Sequence, residues 1–215
     1  MLSTFYHAII KYKGMGADYR YTFHKYQKIR KTRSLNLNVE EVEKVINKVK
    51  VINLTEQEKS FVKEVIIEIL DSANAVFQDI GEGWPETVYQ KAMEVELRER
   101  GIKYEEQIVL PVYYKDKYIV GEGKPDLIIL VELKSGKRVL IVIELKTDTS
   151  IKEDNRVQIQ RYIKALNKSL KSENDIVFPV GFIINFTKRS NEKIDGKIMQ
   201  VSNSTIQWLE VDVEI

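Results

Sequence analysis

The chain of 215 residues has no cysteine and only two histidines, His7 and His24. The absence of cysteine excludes disulfides, thiolate zinc sites and cysteine nucleophiles. Both histidines lie far in sequence from the charged residues that interrupt the apolar runs described below, so a serine–histidine triad is not expected there. If those charged residues hold a metal ion, its ligands must be oxygen atoms.

The chain also lacks a long apolar run. The longest run, 176–186, is shorter than the roughly 20 residues that span a bilayer, and it contains Pro179. The first four residues are not a basic region followed by an apolar segment, as a secretory signal would be. With 43% apolar and 31% charged residues, the chain should fold. We therefore expect an intracellular, cytoplasmic protein without a membrane partner.

Basic residues are concentrated near the N-terminus, although the whole chain carries a net charge of only +2. Residues 1–38 contain eight Lys or Arg against one acid, a net charge of +7, interleaved with seven aromatic residues. Such a mixture can contact phosphates and stack on bases; the alternative is a tyrosine-rich strand or hairpin with a solvated basic rim. The candidate nucleic-acid contacts are Lys25, Lys28, Arg30, Lys31 and Arg33. We treat 1–55 as an N-terminal extension and 56–215 as the main domain.

Capping signals and helical spacing of apolar residues predict four helices. Strand signals follow from Glu106 onward, with two hairpin turns, at 115–117 and near Ser135-Gly136. The predicted helices are a short one from Asn38 to about Val51, a long one opened by Thr55, one from Pro85 to Arg100 with Gly101 as a left-handed cap, and one from about Asp154 to Leu170. The predicted strands are 108–114, 118–120, 127–133, 139–145, 177–186 and one or two within 197–213.

Three ionisable residues interrupt the apolar strands. Asp126, after Pro125, opens one run, and Glu144 and Lys146 close the next. Charges in core strands are expensive unless they are paired or bound to metal. Two carboxylates beside a lysine suit a nuclease that uses Mg²⁺ or Mn²⁺. The alternative is a strand that simply emerges into solvent.

The register of the second hairpin tests whether these residues meet. A three-residue loop at 134–136, with its glycine left-handed, places Asp126 opposite Glu144. Side chains alternate along a strand, so Lys146 then lies on the same face as Glu144. A two-residue loop would instead turn Asp126 to the other face of the sheet. We predict the three-residue loop or a compensating bulge.

Two further groups of polar residues accompany the strand charges. The segment 83–89 reads G-x-x-E-x-x-Y, with Glu86 in the first turn of a helix, where its charge is favoured, and Tyr89 on nearly the same face. Gln158 and Tyr162 lie four residues apart on the last predicted helix. The alternatives are an ordinary helix-start acid and an amide and phenol on a half-buried helix face.

The ordered motifs together resemble the GxxExxY proteins, a branch of the PD-(D/E)XK nuclease superfamily, from about Phe61 to Lys188. The resemblance rests on Gly83, Glu86 and Tyr89, on 110–114, 121–126 and 142–146, and on 158–163 and 180–186. It implies an α/β (α+β) fold with an α-β-β-β-α-β core, in which a mixed central sheet is flanked by helices and the site lies at one sheet edge.

The resemblance also implies roles for individual residues. Asp126 and Glu144 would bind Mg²⁺ or Mn²⁺, and Glu86 would be an additional ligand or an acid behind the ligands. Lys146 would orient or activate the attacking water, and Gln158 would support the site from the following helix. The metal and the lysine would together stabilise the charge of a phosphodiester transition state.

Two functional interpretations stay open on the sequence alone. The first is a metal-dependent nuclease that hydrolyses phosphodiester bonds of DNA or RNA. The alternative is a non-catalytic nucleic-acid-binding or assembly protein that retains the nuclease fold, and a purely structural component is a third. A homodimer is compatible with a single site that cuts one strand, although no residue pattern establishes it.

Overall fold

The computed structural model describes residues 54–149 and 151–186, together with the backbone of 199–200 and 206–212. The predicted helix from Asn38 to Val51 lies outside these residues. So does the N-terminal extension, apart from its last two residues. The basic candidates there are likewise outside: Lys25, Lys28, Arg30, Lys31 and Arg33.

Three helices are present in the described residues: α1 (Glu56–Ile80), α2 (Glu86–Glu99) and α3 (Glu153–Ser169). α1 begins with the expected capping box, in which Thr55 and Glu58 satisfy each other's backbone amides. It ends at Gly81, whose φ of 71° belongs to the left-handed region. Within the described part of the chain, no helix is both long and apolar enough to cross a membrane.

Nine strands follow α2 in the described residues. They are β1 (Lys103–Glu106), β2 (Leu110–Tyr114), β3 (Tyr118–Gly123), β4 (Leu127–Glu132), β5 (Arg138–Lys146), β6 (Asp175–Val177), β7 (Val180–Phe186), β8 (Met199–Gln200) and β9 (Ile206–Asp212). The main sheet has the order β1-β4-β5-β7-β9-β8, with β6 also paired to β5, while β2 and β3 form a separate two-stranded sheet. β5 runs parallel to β6 and β7 and antiparallel to β4, so the sheet is mixed.

The two faces of the sheet bury alternate residues of its central strands. On one face, residues such as Ile129 and Ile141 pack with the apolar sides of α1 and α2. On the other, Ile128 and Val142 pack with α3. α3 lies very close to β7 at Gly181, which has no side chain. A Cβ at this position would come within 2.6 Å of Ile159 on α3. The fold therefore consists of a sheet between two helical layers.

The expected α-β-β-β-α-β core is confirmed. It consists of α2, β1, β4, β5, α3 and β7, and the β2–β3 hairpin is inserted between β1 and β4. β1 was not predicted, since the first predicted strand was 108–114. Residues 103–106 are mostly polar and form the edge strand of the main sheet, so they carry little strand signal. The predicted strand 177–186 is interrupted after Val177, and its two parts pair with successive segments of β5.

The register predicted for the β4–β5 hairpin is also confirmed. Leu133 donates to the carbonyl of Lys137 over 2.8 Å, and Gly136 has a φ of 85°. The pairing continues without a bulge to Leu127 opposite Ile143. Asp126 follows this register to the position beside Glu144.

Candidate active site

The site begins where β4 and β5 meet at one end of the sheet. Asp126 precedes β4, and its Oδ2 accepts a hydrogen bond from the backbone amide of Leu145 over 2.7 Å. This bond fixes the Asp126 carboxylate against β5, next to Glu144. Strand pairing therefore brings together two acids that are 18 positions apart in the sequence.

Glu144 lies almost entirely within the protein, with 3% of its side chain exposed. Its Oε1 accepts a hydrogen bond from Lys146 Nζ over 2.9 Å. Its Oε2 is buried and has no hydrogen-bond partner among the described residues. A buried carboxylate oxygen without a partner carries a large desolvation cost, which a bound cation would offset.

Lys146 carries its ammonium group into the middle of the acids. Nζ lies 2.9 Å from Glu144 Oε1 and 3.7 Å from Glu86 Oε1, and it donates to the Leu145 carbonyl over 2.8 Å. The lysine therefore links the acid at the start of α2 with the acid on β5.

The segment 83–89 contributes one side chain to this site and another to the hydrophobic core. Glu86 opens α2 and contacts Lys146, whereas Tyr89 is fully buried. The Tyr89 ring stacks on Phe186 with a centroid distance of 4.4 Å and an interplanar angle of 9°, and its hydroxyl donates to the Gly81 carbonyl over 2.8 Å. Tyr89 thus anchors the turn that presents Glu86.

Burial shifts the acids of the site toward their protonated forms. It raises the pKa of Glu144 to about 7, with a further increase from the charge of Asp126 and an opposing effect of Lys146. Burial also raises the pKa of Asp126, against the Leu145 hydrogen bond, and that of Glu86, against the charge of Lys146. A positive charge bound beside these acids would stabilise their ionised forms and lower their pKa values.

Lys146 remains a cation in this arrangement. Burial by itself would lower the pKa of Lys146, but Glu144, Glu86 and Asp126 together raise it above its ordinary value. The side chain therefore acts as a hydrogen-bond donor and a positive charge, not as a proton acceptor.

The donor set fits a hard divalent cation only in part. Among the described residues, no group of three or more acidic, His or Cys side chains is arranged to hold a metal ion. The buried Oε2 of Glu144 and the adjacent Asp126 carboxylate are nevertheless the oxygen ligands that such a cation prefers. Glu86 is connected to this pair by Lys146, whose ammonium contacts both Glu86 and Glu144.

Gln158 lies on α3 beside Tyr162. Its side-chain amide donates to the Tyr162 hydroxyl over 2.9 Å, and in the part of the chain that the structure describes it makes no hydrogen bond to the acids. The Tyr162 ring packs against Gly123, where a Cβ would come within 2.7 Å of it. Tyr162, with Gln158 bonded to it, therefore lies at the end of β3, three residues before Asp126 in the chain.

Two further polar residues lie at the site without a predicted role. Asn185 is fully buried and pairs with Lys146 in the parallel register of β5 and β7, and its amide donates to the Asp148 carbonyl over 2.9 Å. The charge of Asp148 also raises the pKa of Glu86. Asn185 could have been noticed in the sequence, because it is a polar residue near the end of an apolar strand. No sequence signal marked Asp148, two residues beyond Lys146.

Asp126 directly before β4, and Glu144 and Lys146 at the end of β5, lie together at one end of a mixed sheet, an arrangement that suits a nuclease-like protein. The sequence model of the PD-(D/E)XK nuclease superfamily matches residues 62–197, more than half of the chain. The chain belongs to this superfamily. Membership supports a nuclease-like function in general, a nucleic-acid substrate and the use of a divalent metal, as is general for these nucleases.

Other comparisons add little. No curated protein matches the chain. A solved structure, the crystal structure of SSO0001, is 17% identical and covers 93% of this chain and 80% of that chain, with a TM-score of 0.37. A likeness at this level carries no argument about function.

Proposed function

We propose that the protein is a metal-dependent nuclease that hydrolyses phosphodiester bonds of DNA or RNA at Asp126, Glu144 and Lys146. One observation carries this proposal: the Lys146 ammonium lies between Glu144 and Glu86, beside an Asp126 carboxylate held by β5. The burial of the Glu144 carboxylate, which has an oxygen without a partner in the described residues, supports a cation there.

Asp126 and Glu144 would hold Mg²⁺ or Mn²⁺, with Glu86 as a further ligand or as the acid that orients Lys146. The metal would supply positive charge to polarise the phosphate and to lower the pKa of a water molecule. Lys146 already donates to Glu144 and to the Leu145 carbonyl, which leaves one N–H of its ammonium for the attacking water or a phosphate oxygen. Its charge stabilises the transition state. In its role as the orienting acid, Glu86 would hold the lysine in this position.

Within the superfamily, we assign the chain to the GxxExxY branch. The separate roles of the motif residues support this assignment. Gly83 has a φ of 93°, which few other residues adopt, Glu86 contacts Lys146, and Tyr89 anchors the preceding turn. The spacing of the motif thus places Glu86 toward the candidate site and Tyr89 in the core, both from the start of α2.

Cleavage assays test the proposal. Labelled single- and double-stranded DNA and RNA are incubated with the protein in Mg²⁺, Mn²⁺ or EDTA, beside Glu144→Ala and Lys146→Ala. We expect cleavage of at least one substrate, its loss in EDTA and its loss in both variants. Cleavage that neither substitution affects would come from a contaminant or another site. Binding of nucleic acid without cleavage under any condition would support the non-catalytic alternative.

A further inference from the structure

The β2–β3 hairpin is an exposed apolar and aromatic surface. In the part of the chain that the structure describes, β2 and β3 pair only with each other, and two-stranded sheets are marginally stable on their own. Leu110 anchors the base of the hairpin in the core beside α3. Most of its other residues are exposed; Tyr114 and Tyr118 are 56% and 55% exposed. Its other exposed large side chains are Val112, Tyr113, Ile119 and Val120.

Lysines accompany the exposed tyrosines. Lys115 Nζ lies 5.3 Å from the ring centroid of Tyr114, and Lys117 Nζ lies 5.3 Å from that of Tyr118. These lysines can turn to a phosphate group while the ring faces take a base, which is how stacking and charge combine on single strands.

The hairpin tip has an unusual backbone. Lys115 and Asp116 both have positive φ, 50° and 55°, a conformation that costs a non-glycine residue about 1 kcal/mol or more. Contacts from α3 brace the tip, since Lys168 pairs with Asp116 and lies 5.1 Å from the Tyr113 ring centroid. The turn is thus held in a defined position relative to α3.

The hairpin leads directly to the candidate active site. β3 ends at Gly123, against Tyr162 and near Gln158, and only Lys124 and Pro125 separate it from Asp126. At about 3.3 Å per residue, β3 places Tyr118 roughly 17 Å from Gly123, and Tyr114 lies beside it as its partner on β2. A strand whose phosphate lies at Asp126 can therefore continue along the hairpin for several nucleotides.

We propose that the β2–β3 hairpin is a stacking platform for unpaired nucleotides next to the cleaved phosphate, an inference that rests on the proposed nuclease function. Exposed tyrosine faces stack on bases whose faces are uncovered, and along a strand these are the bases outside a duplex. Lys115 and Lys117 at the tip and Lys124 at the base contact the phosphates of the same strand. The preferred substrate thus contains a single-stranded segment.

Binding measurements without metal test this proposal independently of cleavage. The anisotropy of labelled single-stranded oligonucleotides and of a duplex of equal length is titrated with the full chain in EDTA. The variants are Tyr114→Ala/Tyr118→Ala and Lys115→Gln/Lys117→Gln. The matched controls are Val95→Ala on α2 and Lys134→Gln at the opposite end of β4, both exposed.

We expect the wild-type protein to prefer the single strand and the tyrosine variant to bind it about tenfold or more weakly. Duplex binding should change much less in the tyrosine variant. The lysine variant should bind the single strand more weakly and with a smaller salt dependence. Both controls should bind like the wild type. Circular dichroism establishes that each variant is folded.

Three results would overturn the proposal. One is unchanged single-strand binding in both hairpin variants. Another is an equal loss on single strand and duplex in the tyrosine variant. The third is a wild-type dimer in light scattering that the hairpin variants convert to a monomer without weaker nucleic-acid binding, which would assign the hairpin to a second copy of the chain. Hairpin-dependent binding without any cleavage would instead contradict only the proposed nuclease activity.

Discussion

At the scale of single residues, Glu144 stands out because its carboxylate is buried at a site that offers it one lysine. Burial and the nearby Asp126 charge raise its pKa to about 7. Such a group favours the folded state when it is protonated and opposes it when it is ionised. A residue that is costly for stability and suited to binding a cation is typical of a functional site.

The first prediction concerns the pH dependence of stability without metal. Between the ordinary glutamate pKa of 4.5 and about 7, the folded protein holds a proton on Glu144 that the unfolded chain has released. The free energy of unfolding should therefore fall as pH rises through this window. From pH 4.5 to pH 8, the wild type should lose on the order of 3 kcal/mol more than Glu144→Gln. Urea unfolding in EDTA measures this difference, and parallel curves for the two proteins would contradict it.

The second prediction concerns Tyr89. Tyr89→Phe keeps the stacked ring on Phe186 but removes the hydrogen bond to the Gly81 carbonyl. We expect a loss of about 1 kcal/mol in the free energy of unfolding. Tyr89→Ala also removes the buried ring and should cost about 3–5 kcal/mol. Equal losses in the two variants, measured by urea unfolding, would show that the ring does not contribute as described.

The sequence predicted the meeting of Asp126, Glu144 and Lys146 because strand periodicity and loop length determine which residues share a face. It could not predict that Tyr89 turns into the core, since a residue three positions from Glu86 lies near the edge of the same helix face. Nor could it predict that Gln158 hydrogen-bonds Tyr162, because side-chain pairing on a helix depends on neighbours from other elements.

At the scale of elements, the β4–β5 hairpin determines the site. Its three-residue loop sets the register, and the register places Asp126 beside Glu144. A change of one residue in this loop would turn Asp126 to the face that packs on α1 and α2. The loop, at the opposite end of the strands from the site, is therefore part of the functional design.

The third prediction tests the conformation of this loop. Gly136 has a φ of 85°, and a Cβ there would meet no atom within 4 Å. Gly136→Ala should therefore destabilise the protein by about 1 kcal/mol through backbone strain alone. Gly136→Asn, the matched variant, should cost less, because asparagine adopts the left-handed conformation more readily. Thermal or urea unfolding compares the two; a larger loss for Asn would show that the strain is not conformational.

Elements with strong local signals were predictable, and those that depend on tertiary contacts were not. α1 carries a capping box and a regular apolar face, so its start follows from the sequence. β1 is short and polar, and it becomes a strand only because β4 offers it an edge. The sequence likewise predicted the β2–β3 hairpin turn but not that the hairpin stands apart from the main sheet.

At the scale of the whole molecule, the fold assembles the site from three separate parts of the chain. α2 supplies Glu86, the β4–β5 pair supplies Asp126, Glu144 and Lys146, and β7 supplies Asn185. The parallel crossover from β5 through α3 to β7 brings the last of these beside the lysine. This convergence at one end of the sheet is what the superfamily fold provides.

The central claim is that Glu144 and Lys146 act together in one hydrolytic centre. Single-turnover cleavage of a labelled oligonucleotide in Mg²⁺ is compared for the wild type, Glu144→Gln, Lys146→Met and the double variant. Glu132→Gln, at the exposed far end of β4, is the control and should cleave like the wild type.

Each single substitution should lower the rate at least about 100-fold. The double variant should be slower than either single variant by no more than about tenfold, because residues that act as a unit do not have additive effects. A wild-type rate in either single variant, or losses that multiply in the double variant, would contradict the account.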